Sequence, residues 1–228
     1  MLVIGLVGGV ASGKSFVAKC FENLGAAILD ADKIGHEVLR TPSVIEAIGH
    51  HWPAVVLADG QIDRRMLATI VFSPVPDGFP AGAAGGKSAV EQPSVDSRQL
   101  RTLEQITHPL IGQQIEQQLT VLRENGETAV VLDAPVLLKA GWDRQCDKIV
   151  FVEARLETRL ARAAGRGWSD GEVARREQFQ TPLHQKRAQA TDFIDNSHTP
   201  EDTQSQVLSL WKNWGLPLAT TPPPSPTS

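Results

Sequence analysis

Leu2 to Val7 is an unbroken apolar run containing Val and Ile, the pattern of a strand buried on both faces of a parallel sheet. Thr128 to Leu132, ending at Asp133, and Lys148 to Val152 repeat the pattern. Ala26 to Leu29 and Asp192 to Ile194 read as shorter strands. Between these runs the apolar period lengthens to that of helices. Lys14 to Leu24 sets Val17, Ala18, Phe21 and Leu24 on one face, and Gly25 stands where such a helix ends. A helix is expected from Ala31 to about Arg40, and Thr41-Pro42 offers an N-cap and a first-turn proline for the next. Asp63 to Phe72 reads as helix. Another starts near Arg98 and is expected to break at His108-Pro109, because a residue before proline is pushed out of the α region. A separate helix then runs from Pro109 to about Asn125, with Gly126 as its stop. Beyond the third strand, helices are expected over Arg155 to Ala164, after Ser169-Asp170-Gly171-Glu172 with its capping-box spacing, after Thr181-Pro182, and from Thr199-Pro200 to about Trp214. Strands alternating with helices predict an α/β fold, a three-layer α/β/α arrangement around a parallel sheet. In such sheets ligands sit beyond the carboxyl ends of the strands.

Two stretches fall outside this pattern. In residues 73–97, Gly, Pro, Ala and Ser fill 16 of 25 positions with no apolar period, which reads as a flexible insertion. The tail 217–228 has five prolines in twelve residues and is expected to be disordered. The remainder, 1–216, reads as one domain. The net charge of −4 argues against a nucleic-acid-coating role, which needs a basic footprint. No apolar run approaches the ~18 residues of a membrane span. Cys20 and Cys146 give neither a disulfide framework nor zinc spacing, and together with the lack of a basic leader they point to the cytoplasm.

The strongest chemical signal is Gly8-Gly9-Val10-Ala11-Ser12-Gly13-Lys14-Ser15, which matches G-x-x-x-x-G-K-[ST] between the first strand and the first helix. Gly8 and Gly13 permit backbone angles and close approaches that a Cβ forbids. Successive N–H groups form an anion nest, and the helix beginning at Lys14 aims its positive end at the phosphates. Lys14 is placed to bridge β- and γ-phosphates, and the Ser15 hydroxyl to hold Mg²⁺.

Asp30-Ala31-Asp32 follows the second strand, which is expected to neighbour the phosphate loop. Asp30 suits a helix N-cap. Asp32, in the first helical turn, is a candidate general base for a substrate hydroxyl. Asp133 at the end of its apolar strand has the shape of a Mg²⁺-holding carboxylate, with a turn cap as the alternative. Arg155, Arg159, Arg162 and Arg166 recur at three- or four-residue spacing with few acidic partners nearby (Glu153 and Glu157). Arg162 and Arg166 are the candidates for stabilising a transferring phosphoryl group, against the alternative of a solvated face. His36 and the pair His50-His51 lack metal-ligand spacing. Trp211 and Trp214 fit the apolar face of the last helix.

From about Ile4 to Asn196, apart from 73–97, the chain resembles the dephospho-coenzyme A kinases. The resemblance rests on Gly5 to Ser15, Asp30-Ala31-Asp32, Asp59-Gly60-Gln61-Ile62-Asp63-Arg64, Ile106-Thr107-His108-Pro109-Leu110-Ile111 and Asp133-Ala134-Pro135-Val136-Leu137-Leu138. Arg162 with Arg166, Gln178, Asp192 and Asn196 complete it. It implies a nucleotide core, a helical substrate part over about 31–125 and an arginine-bearing lid over about 155–190. It implies that ATP phosphorylates the ribose 3′-hydroxyl of dephospho-coenzyme A. On that resemblance Asp32 is the base, and Gly8, Gly9, Val10, Ala11, Ser12, Gly13, Lys14, Ser15 and Phe16 bind ATP with Asn196 near adenine. Ser15 and Asp133 hold Mg²⁺, Arg64 and His108 lie by the acceptor, and Lys14, Arg162 and Arg166 act on the transferring group. Lys139 stands where the family usually has Glu, Thr191 where it has Ala, and Phe16 where it has Thr; the 73–97 stretch has no family counterpart of that length. The partners implied are small molecules, with no nucleic acid or membrane, and a monomer or weak homo-oligomer. Rival readings are a kinase of another small molecule such as a nucleoside monophosphate, a nucleotide-binding regulator, and a degenerate relative that binds without turnover. No Asn-Lys-x-Asp guanine reader is present.

Overall fold

The computed structural model describes residues 1–72 and 97–218; the expectations for 73–97, except its last residue, and for most of the proline-rich tail lie outside the described residues. In chain order the elements are β1 (Leu2–Gly8), α1 (Lys14–Asn23), β2 (Ala27–Asp30), α2 (Ala31–Val38), α3 (Pro42–His51), α4 (Arg64–Val71) and α5 (Ser97–Glu124). They continue with β3 (Ala129–Asp133), β4 (Lys148–Glu153), α6 (Leu156–Ala164), α7 (Asp170–Gln178), α8 (Leu183–Gln189), β5 (Asp192–Asp195) and α9 (Pro200–Asn213). The chain divides into two compact units, Met1–Asp32 with Gln114–Ser228, and Lys33–Gln113. The second lies wholly inside the stretch expected to form the helical substrate part.

The first unit holds a fully parallel sheet of order β2-β3-β1-β4-β5. The expected α/β class is the observed one. β1 and β3 are buried along almost their whole length, as their unbroken apolar runs require, and β4 over Val150 to Val152, while the edge strands expose Ile28 and Phe193. One point of the sequence reading is corrected: β3 separates β2 from β1, so the strand before Asp30-Ala31-Asp32 is not the neighbour of the strand before the phosphate loop. Apolar runs give no strand order. The register nevertheless aligns Asp30 with Asp133 and Asp133 with Leu6. The strand ends bearing carboxylates therefore converge at the carboxyl edge.

On one face Ile4, Leu6, Val131, Val150, Val152 and Ile194 pack with Val17 and Phe21 of α1 and Val207 and Trp211 of α9. Phe21 stacks on Trp214 at 5.8 Å between ring centres, and Trp211 is fully buried. Trp211→Ala should therefore cost about 3–5 kcal/mol, read as a lowered midpoint in urea unfolding. On the opposite face a Cβ on Gly5 would lie 2.6 Å from Leu137 and 2.9 Å from the Cys146 sulfur, so the segment after β3 presses directly on the sheet.

Local signals were obeyed unevenly. After α1, Gly25 N–H reaches Glu22 O and Ala26 N–H reaches Phe21 O, the two bonds of a Schellman stop. Thr199 and Asp202 form the reciprocal capping box of α9. Ser169 accepts from the Glu172 amide, but the Glu172 carboxylate turns to Arg175 and Arg176 instead of closing the box. Thr41 precedes α3 without a side-chain cap, and Pro182 stands at the cap position of α8 itself. The expected break at His108-Pro109 does not occur: α5 runs through Pro109 as one helix. A proline inside a helix costs about 3 kcal/mol or more. Here Ile111, Ile115 and Leu119 are buried along the following turns, and that burial offsets the cost.

Within the second unit, the Asp59–Arg64 element resolves into scaffold. The Asp59 carboxylate accepts the Gln61 amide, Leu57 N–H bonds to Gln61 O, and Asp63 caps α4 by accepting from the Met66 amide. Those bonds fix Arg64 at the first position of α4, where it lines a cavity of about 750 Å³ with His36, Arg40, Gln61 and apolar Leu39, Ile45, Leu57 and Ile62. His36, His50 and His51 are all exposed.

Candidate active site

The phosphate loop leaves β1 and turns into α1 through two glycines at positions where a Cβ would collide. Gly13 has φ +94° and serves as the N-cap of α1, and a Cβ there would collide with the Asn196 side-chain nitrogen. Gly8 has φ +156°, and its Cβ would lie 2.5 Å from Val152 O and 2.8 Å from the Ser12 hydroxyl. The side chains of Val10 and Ala11 turn into a small apolar cluster with Leu160 and Ala163 of α6, Val173 of α7, and Trp168 between these helices. The Phe16 side chain packs on the main core, and its amide bonds to Gly13 O. Ser12 is fully buried, and its hydroxyl has no partner among the described residues. The first-turn amides of α1 are among the four that every helix leaves unmet, and Lys14 and Ser15 supply two of them.

Lys14 donates to Gly9 O at 3.1 Å. Burial pushes its ammonium below the ordinary lysine range, while Asp133 and Glu177 pull it back up and Arg159 and Arg166 push it down. Burial likewise raises the Asp133 carboxyl; Lys14 lowers it, and Asp30 and Asp32 raise it further. Lys14, Asp30, Asp32 and Asp133 thus share one electrostatic neighbourhood in the first unit. Asp30 does act as the cap: its carboxylate accepts the Asp32 amide at 2.9 Å. That leaves Asp32 exposed in the first turn of α2.

The arginine-bearing segment departs from the sequence reading. One of its four arginines, Arg159, has an acidic partner that lies outside the stripe. Arg159 is buried, pairs with Glu177 of α7 and donates to Val10 O. Glu153, expected nearby, pairs with Arg187 instead. Arg162 donates to Ser12 O at 3.1 Å and to Asn196 O at 2.9 Å. Arg166 lies beyond the end of α6, exposed, 5.7 Å from the Trp168 ring centre. Asn196 is buried; its amide donates to Ser12 O at 2.8 Å and accepts from the Thr203 hydroxyl. Thr191, one of the family departures, bonds its hydroxyl across to the Ile149 amide and so joins β5 to β4. Lys139 is exposed, Arg64 lines the cavity of the second unit, and His108 is half-buried on α5.

Three contributors were not singled out from sequence. Glu177 accepts the Val10 amide at 3.1 Å. Lys186 is buried and donates to Gly8 O at 2.9 Å, and Gln180 accepts from it at 2.6 Å. A lysine in a short charged helix carries no mark of burial; the only available hint was its spacing after Thr181-Pro182.

A parallel sheet of this order, with a glycine-bounded anion loop between its central strand and a helix and carboxylates at the adjoining strand ends, defines a P-loop small-molecule kinase. A model of the family described as dephospho-CoA kinase matches residues 2–77 and 82–202, and thus reaches into the 73–97 stretch from both sides. The chain belongs to the dephospho-CoA kinase family, ATP-dependent kinases of the final step of coenzyme A biosynthesis. The dephospho-CoA kinase of Geobacter metallireducens is 38% identical over 215 residues, covering 93% of this chain and 96% of its own. That of Symbiobacterium thermophilum is 36% identical over 93% of this chain and 81% of its own. The crystal structure of TT1252 from Thermus thermophilus matches with TM-score 0.72 at 29% identity, over 93% of this chain and 97% of that one. No helix among the described residues is long and apolar enough to cross a membrane.

Proposed function

We propose that this chain transfers the γ-phosphoryl group of ATP to the ribose 3′-hydroxyl of dephospho-coenzyme A, and that its residues divide the work as follows. The observation that carries the assignment is that Asp133, at the carboxyl edge of the sheet, lies within electrostatic reach of both Lys14 and Asp32. The amides of the 8–15 loop other than those of Val10, held by Glu177, and Ser12, bonded to Gly9 O, cradle the phosphates, and the Lys14 ammonium, already desolvated, neutralises β- and γ-oxygens. Asp32 accepts the proton of the attacking hydroxyl. Its carboxylate is exposed and so reachable by substrate, unlike Asp30, which holds the cap. Arg162 and Arg166 stabilise charge on the transferring group. For Arg162 the support is its place against the loop backbone; for Arg166 it is the field it exerts on Lys14.

The residues fit Mg²⁺. Ser15 contributes an exposed hydroxyl and Asp133 a half-buried carboxylate whose protonation is promoted by burial and by two neighbouring carboxylates, a strain that a cation relieves. So small a donor set suits an ion that keeps most of its coordination for water and phosphate oxygens. When bound, Mg²⁺ supplies neutralisation of the charge that builds on the phosphates. In the second unit, Arg64 and Arg40 on the wall of a half-apolar cavity suit an acceptor with both phosphate groups and an apolar arm, and His108 is assigned to the same acceptor. Asn196 supports the base-side wall of the ATP site through its hold on the loop. Residues 155–190 serve as the lid, 1–216 as one working domain, and the protein acts in the cytoplasm as a monomer or weak oligomer.

The test is ADP release coupled to an indicator reaction, with ATP and Mg²⁺ and a panel of acceptors. Release is expected with dephospho-coenzyme A and at least 10²-fold less with AMP, CMP or shikimate, because a site built for one acceptor leaves polar groups unmet with another. Equal release with a nucleoside monophosphate would reassign the acceptor.

A further inference from the structure

The loop is held from behind by cations. Lys186 donates to the carbonyl of Gly8, Arg159 to that of Val10 and Arg162 to that of Ser12. These are alternate residues of one loop, and the three cations come from α6 and α8 of one segment. In a trans peptide the N–H points opposite to the C=O. Each carbonyl turned toward a cation therefore turns the next amide, that of Gly9, Ala11 or Gly13, away from it and toward the anion side. Of the three cations, Arg159 has a carboxylate partner in Glu177, and Arg162 is shared with Asn196 O. Lys186 has neither. It is 4% exposed, its second bond is to the neutral Gln180 amide, and burial followed by repulsion from Lys14 lowers its pKa to about 8, against a smaller upward pull from Glu177, which is too far to form an ion pair.

A lysine buried without an ion-pair partner is costly and calls for a reason in what it holds. We infer that Lys186 is a positioning residue for the phosphates of ATP: through the Gly8 carbonyl it fixes the orientation of the first peptide of the loop, and it does not touch the nucleotide itself. The inference rests on ATP being bound at residues 8–15. Gln180 orients the Lys186 ammonium, since its oxygen accepts from the same nitrogen that bonds Gly8. The loop lysine, Lys186 and the arginines also surround the loop with positive charge, which a polyphosphate relieves.

The experiment compares Lys186→Met, Lys186→Arg and Gln180→Leu in the full chain, with ATP and dephospho-coenzyme A varied separately and melting temperatures recorded. Lys186→Met should raise KM for ATP about tenfold, the worth of one charge-assisted hydrogen bond, and leave KM for dephospho-coenzyme A within about twofold. Lys186→Arg should recover most of that loss, because a cationic donor is restored. Gln180→Leu, at a half-buried position, should raise KM for ATP about threefold and serves if the Lys186 variants do not fold. An unchanged KM for ATP in folded Lys186→Met, or in Gln180→Leu when the former is unfolded, overturns the inference. So does a lower melting temperature with active-enzyme loss and both KM values unchanged, the mark of a structural role. Lys14→Ala is run in parallel: if it too leaves ATP affinity and rate intact, ATP binding at the loop fails, and the inference fails with it for that separate reason.

Discussion

Asp32→Asn should lower kcat by about 10²–10⁴-fold, the contribution of a positioned general base, with ATP affinity nearly unchanged. The isosteric amide keeps the shape of the first turn of α2 and removes only the capacity to take a proton. The cap of that helix is untouched, because it is the Asp30 carboxylate that accepts the Asp32 amide. Loss of one negative charge near the helix start weakens the macrodipole interaction by about 0.3–1 kcal/mol, too little to unfold the chain. The converse variant, Asp30→Ala, removes the cap and is expected to lower stability more than Asp32→Asn does. Single-turnover phosphoryl transfer, with melting temperature as the control, reads both. Full activity in Asp32→Asn would remove that residue from proton transfer.

Lys14→Ala should lower kcat about 10²–10³-fold and weaken ATP binding as well. Its ammonium is buried beside the loop carbonyl of Gly9, so it meets the phosphates with its desolvation already met in the folded chain. That preorganisation makes its contribution larger than that of an exposed lysine. Lys19, which is exposed and paired with Glu22 on the same helix, provides the contrast: Lys19→Ala should change neither parameter measurably. Steady-state kinetics with ATP varied, checked by equilibrium nucleotide binding, separates the two effects. Equal behaviour of the Lys14 and Lys19 variants would show that the phosphates are held elsewhere.

What could be read from the residues was local. The run Leu2–Val7, the loop spacing and the helix stop at Gly25 are short-range consequences of burial, backbone freedom and hydrogen-bond closure, and the structure has them where the pattern predicts. Strand order was out of reach, because β2 and β3 carry similar apolar patterns and nothing within either says which lies against β1. The unbroken α5 shows the limit of a local rule: the proline penalty at Pro109 is real but smaller than the burial of the turns that follow. The loop glycines and lysine were evident because their chemistry permits few substitutes. The cations behind the loop were hidden. Arg159 looked like one of four surface arginines until Glu177, eighteen residues on, supplied its partner, and Lys186 lies 178 residues from the carbonyl it holds. Such long-range bonds leave no periodic trace. The same distance explains why Asn196, named only through resemblance, proves to brace Ser12 through its side-chain amide.

The decisive measurement is a crystal structure of the chain with Mg²⁺, a non-hydrolysable ATP analogue and dephospho-coenzyme A. The account predicts the β-phosphate seated on the amides of Ala11 and of Gly13 to Ser15 with the Lys14 nitrogen on a phosphate oxygen, and an Asp32 carboxylate oxygen within hydrogen-bond reach of the ribose 3′-hydroxyl. Nucleotide bound away from Gly8–Ser15, or a 3′-hydroxyl facing a group other than Asp32, would contradict it.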